Sequence, residues 1–133
     1  MEGSVNHFAV ITAAVSTFLI GGLWYSPLMF YKAWMKANNF KEGEPQTNKG
    51  VTFGLSFVLS LVMAYNLAFF ISGPETTLSW AISAALLAGF GWAALSLAII
   101  ALFEGRPASY IFINGGYITV SFAVMGLMLG LWR

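Results

Sequence analysis

Residues 3–31 read GSVNHFAVITAAVSTFLIGGLWYSPLMFY, a run without one charged side chain. A bilayer core about 30 Å thick is crossed by roughly 20 apolar residues rising 1.5 Å each. This run is long enough to cross it. Three more charge-free stretches follow, Gly50 to Pro74, Thr76 to Phe103 and Pro107 to Trp132, and the charges are confined to the connections. An unpaired backbone amide in lipid costs several kcal/mol, so segments of this composition should be helical. The expected fold is therefore an all-α integral membrane protein with four transmembrane helices, over about 5–26, 51–72, 78–103 and 108–132.

Composition narrows the function classes. The chain has 133 residues, of which 8% are charged, 59% apolar and 17% aromatic. That is one small domain, with no room for a soluble module. A net charge of +1 argues against nucleic acid as a partner, which needs a clustered basic surface. There is no Cys, which excludes a disulfide framework and thiol chemistry. Glu2 stands where a secretory leader carries a base, and no small-residue cleavage site follows a short apolar run, so the first span is expected to be retained.

Four spans put both termini on one side. Lys32, Lys36, Lys41, Lys49 and Arg106 fall in the connections on the other side, against Arg133 on the terminal side. The excess places connections 28–50 and 104–107 in the cytoplasm and both termini outside, in the inner membrane of the cell. Trp24, Tyr25, Tyr31, Trp34 and Tyr110 suit the cytoplasmic boundary, and Trp80 and Trp132 the outer one, because amphipathic rings favour headgroups. Trp92 falls near mid-span, where its indole N–H is expected to need an acceptor inside the bundle.

The segment after the first span is not an ordinary loop. Pro27 suits the first turn of a helix. Beyond it Phe30, Trp34 and Met35 share a face, while Lys32 and Lys36 can reach headgroups. The expectation is a short interfacial helix over about 27–37, then a polar loop over 38–50.

Small residues recur at four-residue spacing in every span: Ala9, Ala13, Thr17 and Gly21; Ser56, Ser60, Ala64, Ala68 and Ser72; Ala81, Ala85, Gly89 and Ala93; Gly115, Thr119 and Ala123. Gly126 and Gly130 add a GxxxG pair. Such faces let helix backbones approach closely. Contact within one bundle is the plain reading, and the GxxxG pair leans toward a homo-oligomer.

The runs Val5-Asn6-His7-Phe8-Ala9-Val10, Gly22-Leu23-Trp24-Tyr25-Ser26-Pro27-Leu28 with Lys32-Ala33-Trp34-Met35, Phe103-Glu104-Gly105-Arg106-Pro107, Ile113-Asn114-Gly115-Gly116-Tyr117 and Gly130-Leu131-Trp132-Arg133 form one pattern. It resembles the bacterial membrane family catalogued as domain of unknown function seventeen sixty-one. The resemblance covers nearly the whole chain and implies four spans in a bacterial cell membrane. It implies no activity.

Polar groups within spans are the default functional candidates. An inner group comprises Asn114, Tyr117, Trp24, Tyr25, Ser26 and Pro27. There Gly115 and Gly116 would allow close approach of a backbone or ligand, and Asn114 would face the carbonyl that Pro27 frees, capping the bend or binding a polar solute. An outer group comprises Asn6, His7 and Asn66: a polar vestibule with His7 as a proton-responsive element, or ordinary headgroup contacts. Glu104 and Arg106, with Lys32 and Lys36, are candidates for headgroup contact or a charged ring at a pore mouth, against a plain solvated turn.

An enzyme is hard to build from these residues. A catalytic metal usually takes three protein ligands, and the chain offers one His, no Cys and no Asp, so neither catalytic residues nor a metal or other cofactor is expected. A Ser–His–carboxylate site would need His7 with Glu2 or Glu75 and Ser4 or Ser72. Two readings remain. One is a homo-oligomeric membrane component that passes or binds a small neutral or weakly polar solute, with Asn114, Ser56 or Ser60 on an aqueous axis. The other is an accessory protein whose small-residue faces dock another membrane protein or lipid.

Overall fold

The computed structural model describes residues 5–40, 49–71, 73 and 75–132, and within them it is all-helical. The helices are α1 (His7–Trp24), α2 (Tyr31–Asn38), α3 (Lys49–Ile71), α4 (Leu78–Ala88), α5 (Leu95–Phe103) and α6 (Ala108–Leu131), with a π-helical turn (Gly89–Ala94) joining α4 to α5. Four helical segments are long and apolar enough to cross a membrane: His7–Trp24, Gly50–Ile71, Leu78–Phe103 and Ala108–Leu131. Most of the loop expected over 38–50 lies outside the described residues, as do Glu2, Ser4, Lys41, Ser72 and Arg133.

Local chemistry sets the helix ends. The Asn6 side chain accepts from the backbone N–H groups of Phe8 and Ala9 and caps α1. Thr77 does the same for α4 through the N–H of Trp80. Gly105, at φ +71°, closes α5: its N–H reaches Leu102 O while that of Arg106 reaches Ala101 O, a Schellman closure. Asn39, at φ 57°, closes α2 in the same way, with Phe40 N–H on Met35 O. The Asn6 amide also donates to Trp132 O at 3.4 Å, which holds the two chain ends together at one end of the bundle. The α2 elbow and the Glu104–Pro107 turn lie at the other.

α1 and α6 form the centre: 33% of each is buried, against 22% of α3 and 17% of the third long helix. The core is alanine-rich, with Ala9, Ala13, Ala14, Ala64, Ala81 and Ala85 all inaccessible, and Val10, Ile71 and Met125 as its largest fully buried side chains. Small side chains let the helix backbones approach closely, so the fit comes from packing. Gly126 and Gly130 lie in the α4–α6 contact. A Cβ at Gly126 would stand 3.0 Å from Ala81 O, and one at Gly130 would stand 2.9 Å from Ala81 Cβ. The GxxxG pair is therefore occupied within the chain, and the argument it offered for a subunit contact falls.

Two further expectations are corrected. Small residues on the third helix are buried in steps of four, Ala81, Ala85 and Gly89, and then in a step of five to Ala94. The π turn inserts that extra residue, so Ala94 takes the buried place on the small-residue face that four-residue spacing gave to Ala93. The same turn points Trp92 outward, with 71% of it exposed, and its indole has no acceptor among the described residues. The short helix begins at Tyr31 and not at Pro27, which lies in a turn. Leu23 O would have accepted from residue 27 in a continuing helix. Because proline has no N–H, Ser26 takes its place: the hydroxyl donates to Leu23 O at 2.6 Å and the N–H at 3.1 Å. Phe30 N–H then closes on Trp24 O and Tyr31 N–H on Ser26 O. The carbonyls of Leu23, Trp24 and Ser26 are thus satisfied within the elbow.

Candidate functional site

That elbow carries α2 against α6 and gathers aromatic rings at the connection end. Tyr25 meets Trp34 edge-on at 5.9 Å and Tyr117 at 5.5 Å, and Trp34 meets Phe40 at 5.3 Å. On α2 the inward side carries Trp34, Met35 and Ala37, while Lys32 and Lys36 are exposed. Between α2 and the ends of the third and fourth long helices lies a cavity of about 380 Å³, walled by Tyr25, Trp34, Phe40, Tyr110 and Tyr117, with the amides of Asn38 and Asn114.

The inner group is partly brought together here. Tyr25 Oη donates to Asn114 Oδ1 at 2.6 Å, and Asn114 Nδ2 donates to Tyr110 O one turn back on its own helix. Asn114 thus pairs with a hydroxyl and does not cap the Pro27 bend. Tyr117 lies across α1, donating to Thr17 O at 3.1 Å with its ring against Gly21. Ser26 and Pro27 stay in the elbow and do not line the cavity. Trp24 turns away from it: its indole N–H donates to Ile113 O at 2.8 Å, and its ring covers Gly116. A Cβ at Gly116 would stand 2.8 Å from Trp24 Cζ2, so this glycine admits an indole and not a ligand. Trp34, Asn38 and Phe40, in α2 and just after it, were missing from the sequence-derived site. The signal was present in the apolar face of α2, but its contact with α6 depends on the elbow.

The polar face of Asn114 has spare capacity. A primary amide has two donors and two acceptor lone pairs, and among the described residues one N–H and one lone pair are taken up. A planar, weakly polar molecule would find ring faces on several sides and an amide to orient it. Behind the cavity Thr17, Gly21 and Tyr117 close the bundle. Ser60 accepts from the Thr17 hydroxyl at 3.1 Å in the α1–α3 contact.

The outer residues divide. His7 Nδ1 and Tyr65 Oη are 2.7 Å apart, tying α1 to α3, and Asn6 serves as cap and tie to Trp132. Asn66 is exposed on the outer surface of α3, beside a second and larger cavity, and forms no vestibule with them. Its expected partner inside the bundle is absent among the described residues. At the other end Arg106 Nε stands 3.4 Å from Glu104 Oε1 in an exposed pair, and its guanidinium lies 5.1 Å from the centre of the Tyr110 ring. Among the described residues no group of three or more His, Cys, Asp or Glu side chains could hold a metal ion.

The described residues thus form a small helical bundle with four helices of membrane-spanning length and an aromatic pocket at the end away from Asn6 and Trp132. A family model described as "Protein of unknown function (DUF1761)" matches residues 8–130, and the chain belongs to that family. No curated protein and no solved structure matches it.

Proposed function

We propose that the protein is a multi-pass component of a bacterial cell membrane that binds a small, neutral or weakly polar solute in the aromatic pocket. The supporting observation is the open cavity of about 380 Å³, lined by Tyr25, Trp34, Tyr110 and Tyr117 beside the Asn114 amide. Ligand sites commonly occupy a few hundred Å³, with mostly apolar walls and a few placed polar groups. Passage across the membrane would need several copies around a shared axis, since the bundle behind the pocket is packed. Binding is therefore the reading carried forward.

Benzamide is a suitable first probe: flat, neutral and bearing one amide. It is expected to raise the thermal unfolding midpoint of the detergent-solubilised protein by a few degrees, as any ligand of the folded state does. The rise should vanish in Asn114→Leu. Equal shifts in both proteins, or no shift in either across a panel of neutral aromatic amides and alcohols, would remove the proposal.

The orientation proposed is connection end in the cytoplasm, from the excess of lysine there. The absence of native Cys makes the check direct. A membrane-impermeant thiol reagent added outside intact cells should label Glu75→Cys and leave Lys36→Cys unlabelled until the cells are opened. The reverse pattern would invert the topology.

A further inference from the structure

The second cavity, about 660 Å³, opens sideways between α3 and the third long helix and takes no part in the aromatic pocket. It is lined by Asn66, Phe70, Trp80, Leu87, Gly91 and Trp92 among others, and Asn66 is the one amide in a wall otherwise of aliphatic and aromatic side chains. Its ends differ in depth. Tyr65, next to Asn66, is bonded to His7 at the start of α1, and Asn6 is bonded to Trp132 just past the end of α6. Asn66 and Trp80 thus stand level with the terminal edge of the apolar bundle. Trp92 lies twelve residues beyond Trp80, roughly 18 Å at 1.5 Å per residue. Half of a bilayer core is roughly 15 Å. The groove runs from one boundary to about the midplane and ends where the π turn swings Trp92 outward.

The polarity of the groove matches one class of occupant. The Asn66 amide has no partner among the described residues and sits at the boundary end, where the ester carbonyls of a glycerolipid lie. Apart from the Trp92 indole N–H, the deeper wall is apolar, which suits a hydrocarbon chain. A helix of a second copy is a poor fit: a cylinder about 10 Å across and 18 Å long would need roughly twice the volume. Gly91 keeps the deep end open, since a Cβ there would meet nothing within 4 Å.

We propose that this groove holds one acyl chain of a glycerolipid, with the Asn66 amide donating to the lipid's ester carbonyl. The inference rests on the chain being membrane-embedded and is independent of the aromatic pocket. Membranes are first washed with carbonate, and the protein left in them is extracted and stripped of lipid. It is then incubated with dioleoyl phosphatidylglycerol and weighed by native mass spectrometry. One lipid per chain is expected to survive release from the detergent micelle. Gly91→Leu, which fills the deep end, and Asn66→Leu, which removes the donor, should each lower the retained fraction at least fivefold. Gly91→Leu should unfold at the wild-type midpoint, because the added side chain enters open space. Retention equal in all three proteins would mean ordinary surrounding lipid and would overturn the proposal. So would a wild-type dimer lost in the same variants, which would make a second copy the occupant. Loss of the protein in the carbonate wash would instead sink the membrane reading itself.

Discussion

Gly126→Val is expected to destabilise the protein by about 3 kcal/mol, the upper end of what overpacking a close-fitted core costs. A side chain at this position would meet Ala85 Cβ and stand 3.0 Å from the Ala81 carbonyl oxygen and 3.4 Å from Ile82 Cα. Two of these three atoms are backbone, which yields only if α4 moves away from α6. The internal control is Gly54→Ala, where a Cβ meets nothing within 4 Å. There the gain in helix propensity, up to about 1 kcal/mol, should leave stability unchanged or slightly raised. Thermal midpoints in one detergent would separate the two by on the order of 10 °C. A Gly126→Val protein as stable as Gly54→Ala would mean that the α4–α6 contact is not as close as described. If Gly126→Val instead halved the particle mass while leaving the midpoint unchanged, the GxxxG pair would be a subunit contact after all.

Trp24→Ala should produce the second large effect, a loss of about 2–4 kcal/mol, somewhat below the range for a fully buried tryptophan. The indole covers Gly116, stacks 4.8 Å from the Phe30 ring and donates to Ile113 O. Removing it opens a void between α1 and α6 and frees the elbow that positions Tyr25. Trp24→Phe keeps much of the ring and loses the hydrogen bond, at about 1 kcal/mol. The functional reading adds a second readout. Trp24 does not line the pocket, yet Trp24→Ala should abolish the benzamide-dependent rise in midpoint, while Trp24→Phe retains most of it. If the alanine and phenylalanine variants were equally stable, the ring would not be filling the α1–α6 gap.

Much of the candidate site was foreshadowed by residue type, and its geometry was not. Tyr25, Asn114 and Tyr117 stood out because polar side chains in apolar segments need partners. Which partners they take depends on the elbow. Ser26 replaces the hydrogen bond that Pro27 cannot make, so the Leu23 carbonyl has no need of Asn114, and the amide is left to the Tyr25 hydroxyl. That local substitution redirects the whole site, and it brings in Trp34 and Phe40. Trp92 was misplaced for a related reason: a regular helical period cannot foresee one extra residue in a turn.

By itself the sequence determined the class of fold. Charge-free runs of spanning length permit little besides helices, since each backbone amide must be satisfied within its own segment where water is absent. Helix ends are set locally at Asn6, Thr77, Asn39 and Gly105, because a cap acts within one turn, although none of these stood out as a cap before the structure. Tertiary structure decided what apolar periodicity leaves undetermined. In a bundle this apolar the outward and inward sides carry the same kinds of side chain, so hydropathy does not distinguish them. Only packing showed that Gly126 faces Ala81 and Ala85, that Gly116 lies under Trp24, and that Asn66 and Trp92 look outward.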